Sequence, residues 1–513
     1  MKNPIDHHLV NGVLASLLAL VALIAAVNAW TYSHAAAIPL VQSDAWVFLD
    51  TYVRKYLEGN FGWRDYFLQA FSSDTNLPLH KLILMFHINH FHMDFKVEGL
   101  IGTASAIAMV VLLVVAAAGP NPARWRLPGF ALLAWLALAA LSLNTSNVYT
   151  WPLVTMWFLN LLIVSAYLVF IARPSAGPVA TLIATLVLGL LLDEVALITV
   201  IAAVMALLIQ RDGRPHRTRL LQAGAAVAGV VIVRGLYAWF NAAHGMDAQP
   251  GPAPGLSGLL GLVAADALSL VSIPLSDSLL HHHALLEWFP KRHATVAGII
   301  AGVLALLHLW FWWQAFSARA GLHVGTIATR RVAIALMLFF YGMVAGIALQ
   351  RISLFGVEYL HQPRYVLFYQ LNLVALGLMA YAAYQAREQQ PRGWLLPVLL
   401  PMLMVVTLAA MASLQWHLAQ RSWAEVKYLF GYMEGSARTL GTLAADPAAD
   451  VPCADILRVC DFGPAKREEL LDLLQVYQLN VFNPDFQGFY RLRPIPHPAR
   501  AASAGSASAA PGE

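Results

Sequence analysis

Apolar runs of about 20 residues recur along almost the whole chain, and no single soluble core can bury that many. A helix needs about 20 apolar residues to cross the hydrocarbon layer of a bilayer. Windows of this kind lie at 9–30, 98–118, 127–143, 151–171, 178–192, 195–210, 220–240, 294–316, 332–349, 365–384 and 394–414. Because 59% of the 513 residues are hydrophobic and only 12% are charged, lipid must be the solvent for most of the surface. The expected fold is therefore all-α: a polytopic membrane bundle of about 11 transmembrane helices.

The windows at 178–192 and 195–210 are short, about 22 Å each if helical. As a single crossing they would put Arg211, Arg214, Arg217 and Arg219 on the same side as the acidic insert that follows the first window. Two short helices broken at Asp193 and Glu194 keep positive charge on one side. The apolar run 256–275 contains Asp266 among Pro and Gly, and reads as interfacial or re-entrant. With a cytoplasmic N-terminus, the inside loops then collect Arg124, Arg126, Arg173, Arg319, Arg330, Arg331, Arg387 and Arg392 against few acids. A large first external loop (31–97), a segment 241–293, a short loop 350–364 and everything past 414 fall outside.

These boundaries divide the chain into a membrane domain over 1–414, a small external cap over 415–500 and a tail over 501–513. The tail is Ala, Ser, Gly and Pro, and is expected to be disordered. The first apolar run is long for a signal peptide and ten more follow it, so it reads as a retained span.

The net charge of +4 comes without a basic cluster interleaved with aromatics, which argues against nucleic acid as a partner. No repeat, phosphate-binding glycine loop or nucleophile elbow is visible, so ATP-driven transport by this chain alone is not expected. The two cysteines, Cys453 and Cys460, lie near the C-terminal end. They read either as a local disulfide in an oxidising compartment or as two free thiols.

From Ala37 the chain reads AIPLVQSDAWVFLDTYVRKYLEGNF, and from Leu77 it reads LPLHKLILMFHINHFHMDFKVEGLIG. This order resembles the first external loop of GT-C glycosyltransferases, a superfamily that includes protein mannosyltransferases, aminoarabinose transferases of lipid A and O-antigen glucosyltransferases. In them an acidic residue soon after the first span precedes amphipathic helices and a His-containing entry into the second span. Pro363-Arg364-Tyr365 opens a late span in a similar way. Where many members carry Asp-Glu, this chain has Asp44-Ala45, so a paired second carboxylate must come from elsewhere. The resemblance implies transfer of a sugar from a polyprenyl-phosphate donor to a cell-envelope glycan or lipid, on the outer face of a bacterial cytoplasmic membrane.

Inverting transfer needs a carboxylate to take the acceptor proton and positive groups to hold the departing phosphate. Asp44 is the expected base, its plainer alternative being a solvated or helix-capping aspartate. Asp74, in a turn before the second span, is the expected second carboxylate. Asp50, six positions after Asp44, reads as a solvated helix face. His80 and Lys81 stand where an amphipathic segment meets the membrane, placed either to touch the lipid phosphate or its sugar or to snorkel at the interface. Arg351, His361 and Arg364 form the expected phosphate cradle, because guanidinium groups bind phosphate oxygens bidentately. Arg234, inside an apolar window, is functional unless it snorkels outward.

No cofactor is required by this reading, although His87, His90 and Asp94 would share one face of a continued helix and could hold a divalent metal ion with His92 nearby. Interfacial histidines are the plainer account. Two rivals remain: a secondary transporter or flippase of envelope precursors, in which buried charges such as Arg234 line a path, and a non-catalytic envelope-assembly protein that has lost one carboxylate.

Overall fold

The structure is a computed structural model, and it describes residues 7–68, 78–210, 215–243, 256–317, 322–389 and 396–495. Asp74 and the tail 501–513 lie outside the described residues. Among the described residues every element is helical and there is no strand. Seven helices are long and apolar enough to cross a membrane: Val10–Ala36, Lys96–Ala118, Pro152–Ala172, His216–Ala242, His293–Phe316, Val324–Ile352 and Pro363–Glu388. Three shorter apolar helices, Leu127–Ala140, Pro178–Leu192 and Glu194–Ile209, complete an all-α, multi-pass bundle.

The chain opens with α1 (His7–Ala36), and the insert after it folds as consecutive short helical turns over 45–57 followed by the amphipathic α2 (Pro78–Phe91). Helices α3 (Lys96–Ala118), α4 (Leu127–Ala140) and α5 (Trp157–Ala172) follow, then the short pair α6 (Pro178–Leu192) and α7 (Glu194–Ile209) and the longer α8 (His216–Ala243). Proline in the first turn starts α4 and α6, where its missing N–H costs nothing. Gly119, with φ of 95°, stops α3.

The run read as interfacial or re-entrant folds as a helix, α9 (Leu256–Leu279), kinked at Asp266 (φ −126°, ψ 22°) and carrying Pro274. After the short α10 (His282–Trp288) come α11 (His293–Phe316), α12 (Val324–Ile347), an irregular segment over 348–365 and α13 (Leu371–Gln389). The expected boundary at 414 falls inside one unbroken helix, α14 (Leu396–Ala445), followed by α15 (Pro464–Val476) and α16 (Pro484–Tyr490).

Hydrocarbon offers no hydrophobic drive for helix to join helix, so close packing depends on small residues. On α3 these are Gly99, Gly102, Ser105 and Ala106, all buried. A side chain at Gly102 would run into the backbone of Thr155 and Met156, so this glycine is what lets α3 lie against the start of α5. The most apolar window of α1 is only 6% buried, whereas that of Pro363–Glu388 is 78% buried. α12 and α13 therefore form the centre, with Ala333, Ile334, Met337 and Met379 fully enclosed, and α1 turns Leu17, Leu23 and Ile24 outward, a face suited to lipid.

Arg330 and Arg331, expected as loop charges, are instead buried in the first turns of α12. Arg331 donates to the carbonyls of Gln210 (2.8 Å) and Ala172 (3.4 Å), and Arg330 to that of Gln314. These carbonyls lie at the C-terminal ends of α7, α5 and α11, where the helix dipoles are negative and the last acceptors have no partner within their own helix.

At the other end of the bundle the first loop and the C-terminal region fold into one layer with a shared core. Leu40, Val41, Trp46, Leu49 and Val53 from the loop pack with Leu440, Leu443, Leu470, Leu474, Val481 and Phe482. The expected cap is thus half of a roof, and the first loop is the other half.

Candidate functional site

Beneath this roof the helix ends gather most of the ionisable residues singled out from the sequence. Ile38 donates its N–H to the Thr150 carbonyl at 3.1 Å, and the guanidinium of Arg364 lies 5.8 Å from the Trp151 ring centre. Asp44 and Arg364 therefore belong to the same end of the bundle, joined through residues 150 and 151.

Asp44 precedes the turn starting at Ala45, but its side chain caps no N–H. It is 53% exposed and accepts from Arg458 at 3.0 Å. Asp50 accepts from Arg54 at 2.9 Å and pairs with Lys466 at 2.5 Å, so it ties α15 to the first loop. Cys453 and Cys460 form a disulfide, with Cα atoms 6.4 Å apart, in the segment that carries Arg458.

His80 and Lys81, in the first turn of α2, part ways. Lys81 is buried and donates to the carbonyls of Asp65 (2.9 Å), Tyr66 (3.3 Å) and Leu68, with its ammonium 5.3 Å from the Tyr52 ring centre. It closes the turn over 63–68 rather than snorkelling. His80 faces Asn160 at 3.2 Å, and burial pushes its imidazole down to about 4. Phe48, Tyr52, His80, Leu84, Glu98, Leu153 and Met156 line a small cavity with room for about one water molecule. Glu98 pairs with His87 at 3.0 Å, and its second oxygen has no hydrogen-bond partner among the described residues.

The shared face that His87, His90 and Asp94 would need to hold a metal ion does not form. α2 ends at Phe91, His92 and Met93 turn to φ of 49° and 63°, and Asp94 leaves the helical register to accept from Tyr490 at 2.7 Å. Among the described residues no group of three or more histidines, cysteines and carboxylates is arranged to hold a metal ion.

Arg234 does not snorkel away. Its guanidinium pairs with Asp193 and lies 3.8 Å from Glu194. Asp193, at the break between α6 and α7, has φ of 42°, a conformation that costs a non-glycine residue about 1–3 kcal/mol. Asp193 is buried and serves as an interior partner for Arg234, whereas Glu194 is half-buried.

The segment 348–365 gathers the remaining cations. Arg364 donates to the Tyr359 hydroxyl and is enclosed by the rings of Trp151, Tyr359 and Tyr365, at 5.8, 5.7 and 5.4 Å. Arg351 and Arg364 both act electrostatically on the Tyr365 hydroxyl, which places the two arginines on one locus.

His361 has a partner that the sequence reading did not name. Its Nδ1 donates to Asp277 Oδ2 at 2.8 Å, and Asp277 is fully buried near the C-terminal end of α9. His281 donates Nε2–H to the His361 carbonyl at 2.8 Å and accepts the His283 N–H at Nδ1, which fixes its tautomer. Asn144 clamps this corner, donating to the Asp277 carbonyl and accepting the His281 N–H, both at 2.7 Å.

Burial pushes His281 down to about 3, so it stays neutral. Burial also acts to lower His361, but the hydrogen bond and charge of Asp277, with the charge of Glu358, outweigh it and hold this imidazole above its ordinary value. Burial raises the Asp277 carboxyl, opposed by His361. A buried carboxylate that orients an imidazole can keep it charged or steer its proton. The signal in sequence is Asp277 four positions before His281, the first of the three-histidine run.

Comparison with protein-family models, with curated proteins and with solved structures finds no match for the chain, so function must be argued from this geometry.

Proposed function

We propose that the chain is a GT-C-like membrane glycosyltransferase that moves a sugar from a polyprenyl-phosphate donor to a glycan or lipid of the cell envelope. In this reading about 11 helices cross a bacterial cytoplasmic membrane, the N-terminus is cytoplasmic, and the roof made of the first loop and the C-terminal region is periplasmic. The observation that carries the reading is that Asp44 and Arg364 share one end of the bundle through residues 150 and 151. An acidic loop residue and a caged arginine at the membrane border are the two halves of the chemistry that such a transfer needs.

Asp44, held by Arg458, takes the acceptor proton, with Asp74 as the second carboxylate of the loop. Arg351, His361 and Arg364 receive the lipid phosphate. His80, Lys81 and Arg234 belong to the wall of the site. Lys81 shapes the turn over 63–68, and Arg234 fixes the α6–α7 break beside it. The burial of Asp193 and Asp277 at this same end supports the reading, because ionisable groups enclosed by apolar helices are costly and mark working sites.

The test is incorporation of labelled sugar from polyprenyl-phosphate-linked donors by the purified protein in proteoliposomes carrying envelope lipids. Activity that disappears in Asp44→Asn, with the variant still folded, supports the reading. No transfer by the unaltered protein from any such donor overturns it.

A further inference from the structure

We propose that His361, held by the buried carboxylate of Asp277, is the proton donor to the departing lipid phosphate, and that Asp277 is its positioning residue. The inference rests on the transferase reading above. It deepens that reading by dividing the work between two acid–base groups, Asp44 on the acceptor side and His361 on the phosphate side.

The geometry is that of a built pair. Asp277 is 1% exposed at its side chain and reaches His361 Nδ1 at 2.8 Å from a different helix. The backbone of His361 is fixed separately by His281 at its carbonyl, and the Tyr369 hydroxyl donates to the neighbouring Leu360 carbonyl at 2.9 Å. One face of the ring lies against His282, 4.2 Å between centroids. Nδ1 is therefore committed, and Nε2 is the nitrogen left to act. It points toward Glu358, 3.6 Å away, whose side chain is 80% exposed. The working edge of the imidazole thus faces the exposed carboxylate of Glu358, on the open side of the segment 348–365.

The charged groups around His361 agree on its state. Asp277 from α9 and Glu358 from its own segment both favour the imidazolium. His281 is neutral, and His282, stacked on the ring and pushed down by burial and by His361 itself, yields the charge to it.

The step balances as follows. The acceptor oxygen bonds to the anomeric carbon of the donor sugar, and its proton passes to the Asp44 carboxylate. The bond from the anomeric carbon to the phosphate oxygen breaks, and its electron pair leaves with the phosphate. His361 Nε2–H delivers its proton to that phosphate, and Arg351 and Arg364 hold the remaining negative charge. Release of polyprenyl phosphate leaves a neutral imidazole on Asp277, which takes a proton from water to restore the pair.

The experiment is the pH profile of turnover by the full chain in proteoliposomes, with a polyprenyl-phosphate-linked sugar as donor. The unaltered protein should lose rate as pH rises through the raised value of His361. His361→Gln should lower kcat about 100-fold with little change in donor KM and should abolish this alkaline limb. Asp277→Asn, which keeps a hydrogen-bonding group without the charge, should move the limb to lower pH. Transfer by His361→Gln at the unaltered rate, or an alkaline limb that persists in it, overturns the assignment and leaves the transferase reading standing. Absence of transfer by the unaltered protein overturns both. If Asp277→Asn does not fold, the His361→Gln profile decides alone.

Discussion

The side-chain amide of Asn480 donates to the Pro39 carbonyl at 2.9 Å, across 441 positions of sequence. The same amide donates to the Met93 carbonyl at 2.7 Å, its oxygen accepts from Val41 N at 3.4 Å, and its backbone N–H reaches the His92 carbonyl at 2.8 Å. One buried residue thus pins both limbs of the first loop to the C-terminal region. Its own φ of 52° is a conformation that asparagine tolerates better than most residues. Asn480→Ala leaves the buried Met93 carbonyl without a donor and the Val41 N–H without an acceptor, and it strains the backbone, for a loss of roughly 3 kcal/mol. The expected result is a lowered Tm in detergent, with early proteolytic cleavage within the first loop. A Tm and cleavage pattern equal to those of the unaltered chain would mean that the two halves of the roof are held by their apolar core alone.

Arg331 makes a second prediction, at the opposite end. Its guanidinium serves the carbonyl ends of α5 and α7, and these acceptors have no water to turn to in so buried a place. Arg331→Met keeps the volume and removes the donors, and should cost about 3 kcal/mol. Arg331→Lys should recover only part of that, because an ammonium lacks the fork that spans two helix ends. Thermal unfolding of the three proteins in one detergent measures both steps.

The longest membrane windows are legible because a 20-residue apolar run depends on composition alone, and seven of the described helices are long and apolar enough to cross a membrane. The end of the last window is not: nothing between 414 and 445 stops a helix, and α14 continues into the roof. The site was half legible for a related reason. Arg234 stands out as a lone cation in an apolar run, but its partner Asp193 lies 41 positions away at a helix break. His361 stands out for its place near Arg364, while Asp277, 84 positions before it, lies just past the run 256–275 that reads as interfacial or re-entrant. Pairing of buried charges is decided by which helix ends meet. Periodicity and charge bias do not carry that information.

His80 gives a pH prediction with a definite sign. Its folded value is lowered to about 4 by burial, whereas in the unfolded chain it titrates near 6.5. Between these values the unfolded state binds the extra proton, so stability falls as pH drops from about 6.5 toward 4 and is unaffected by this group above that window. His80→Gln can keep the contact with Asn160 without a titrating ring. The Tm of the unaltered protein should therefore decline across this window more steeply than that of the variant. Parallel curves would show that other groups carry the acid sensitivity.

The cage around Arg364 separates its charge from its shape. Trp151, Tyr359 and Tyr365 surround the guanidinium, and Tyr359 accepts a hydrogen bond from it. Cation–π contacts of this kind contribute about 0.5–1 kcal/mol each at exposed sites, so losing all three in Arg364→Ala should cost roughly 2 kcal/mol and lower Tm. If the caged group receives a lipid phosphate, binding of polyprenyl phosphate to Arg364→Ala should weaken about 100-fold. Arg364→Lys should lie between, because the charge is kept while the planar stacking and bidentate geometry are lost. Measured on folded protein in nanodiscs, this order separates a phosphate receptor from a structural plug. A plug would show the same drop in Tm with no change in affinity for the lipid phosphate.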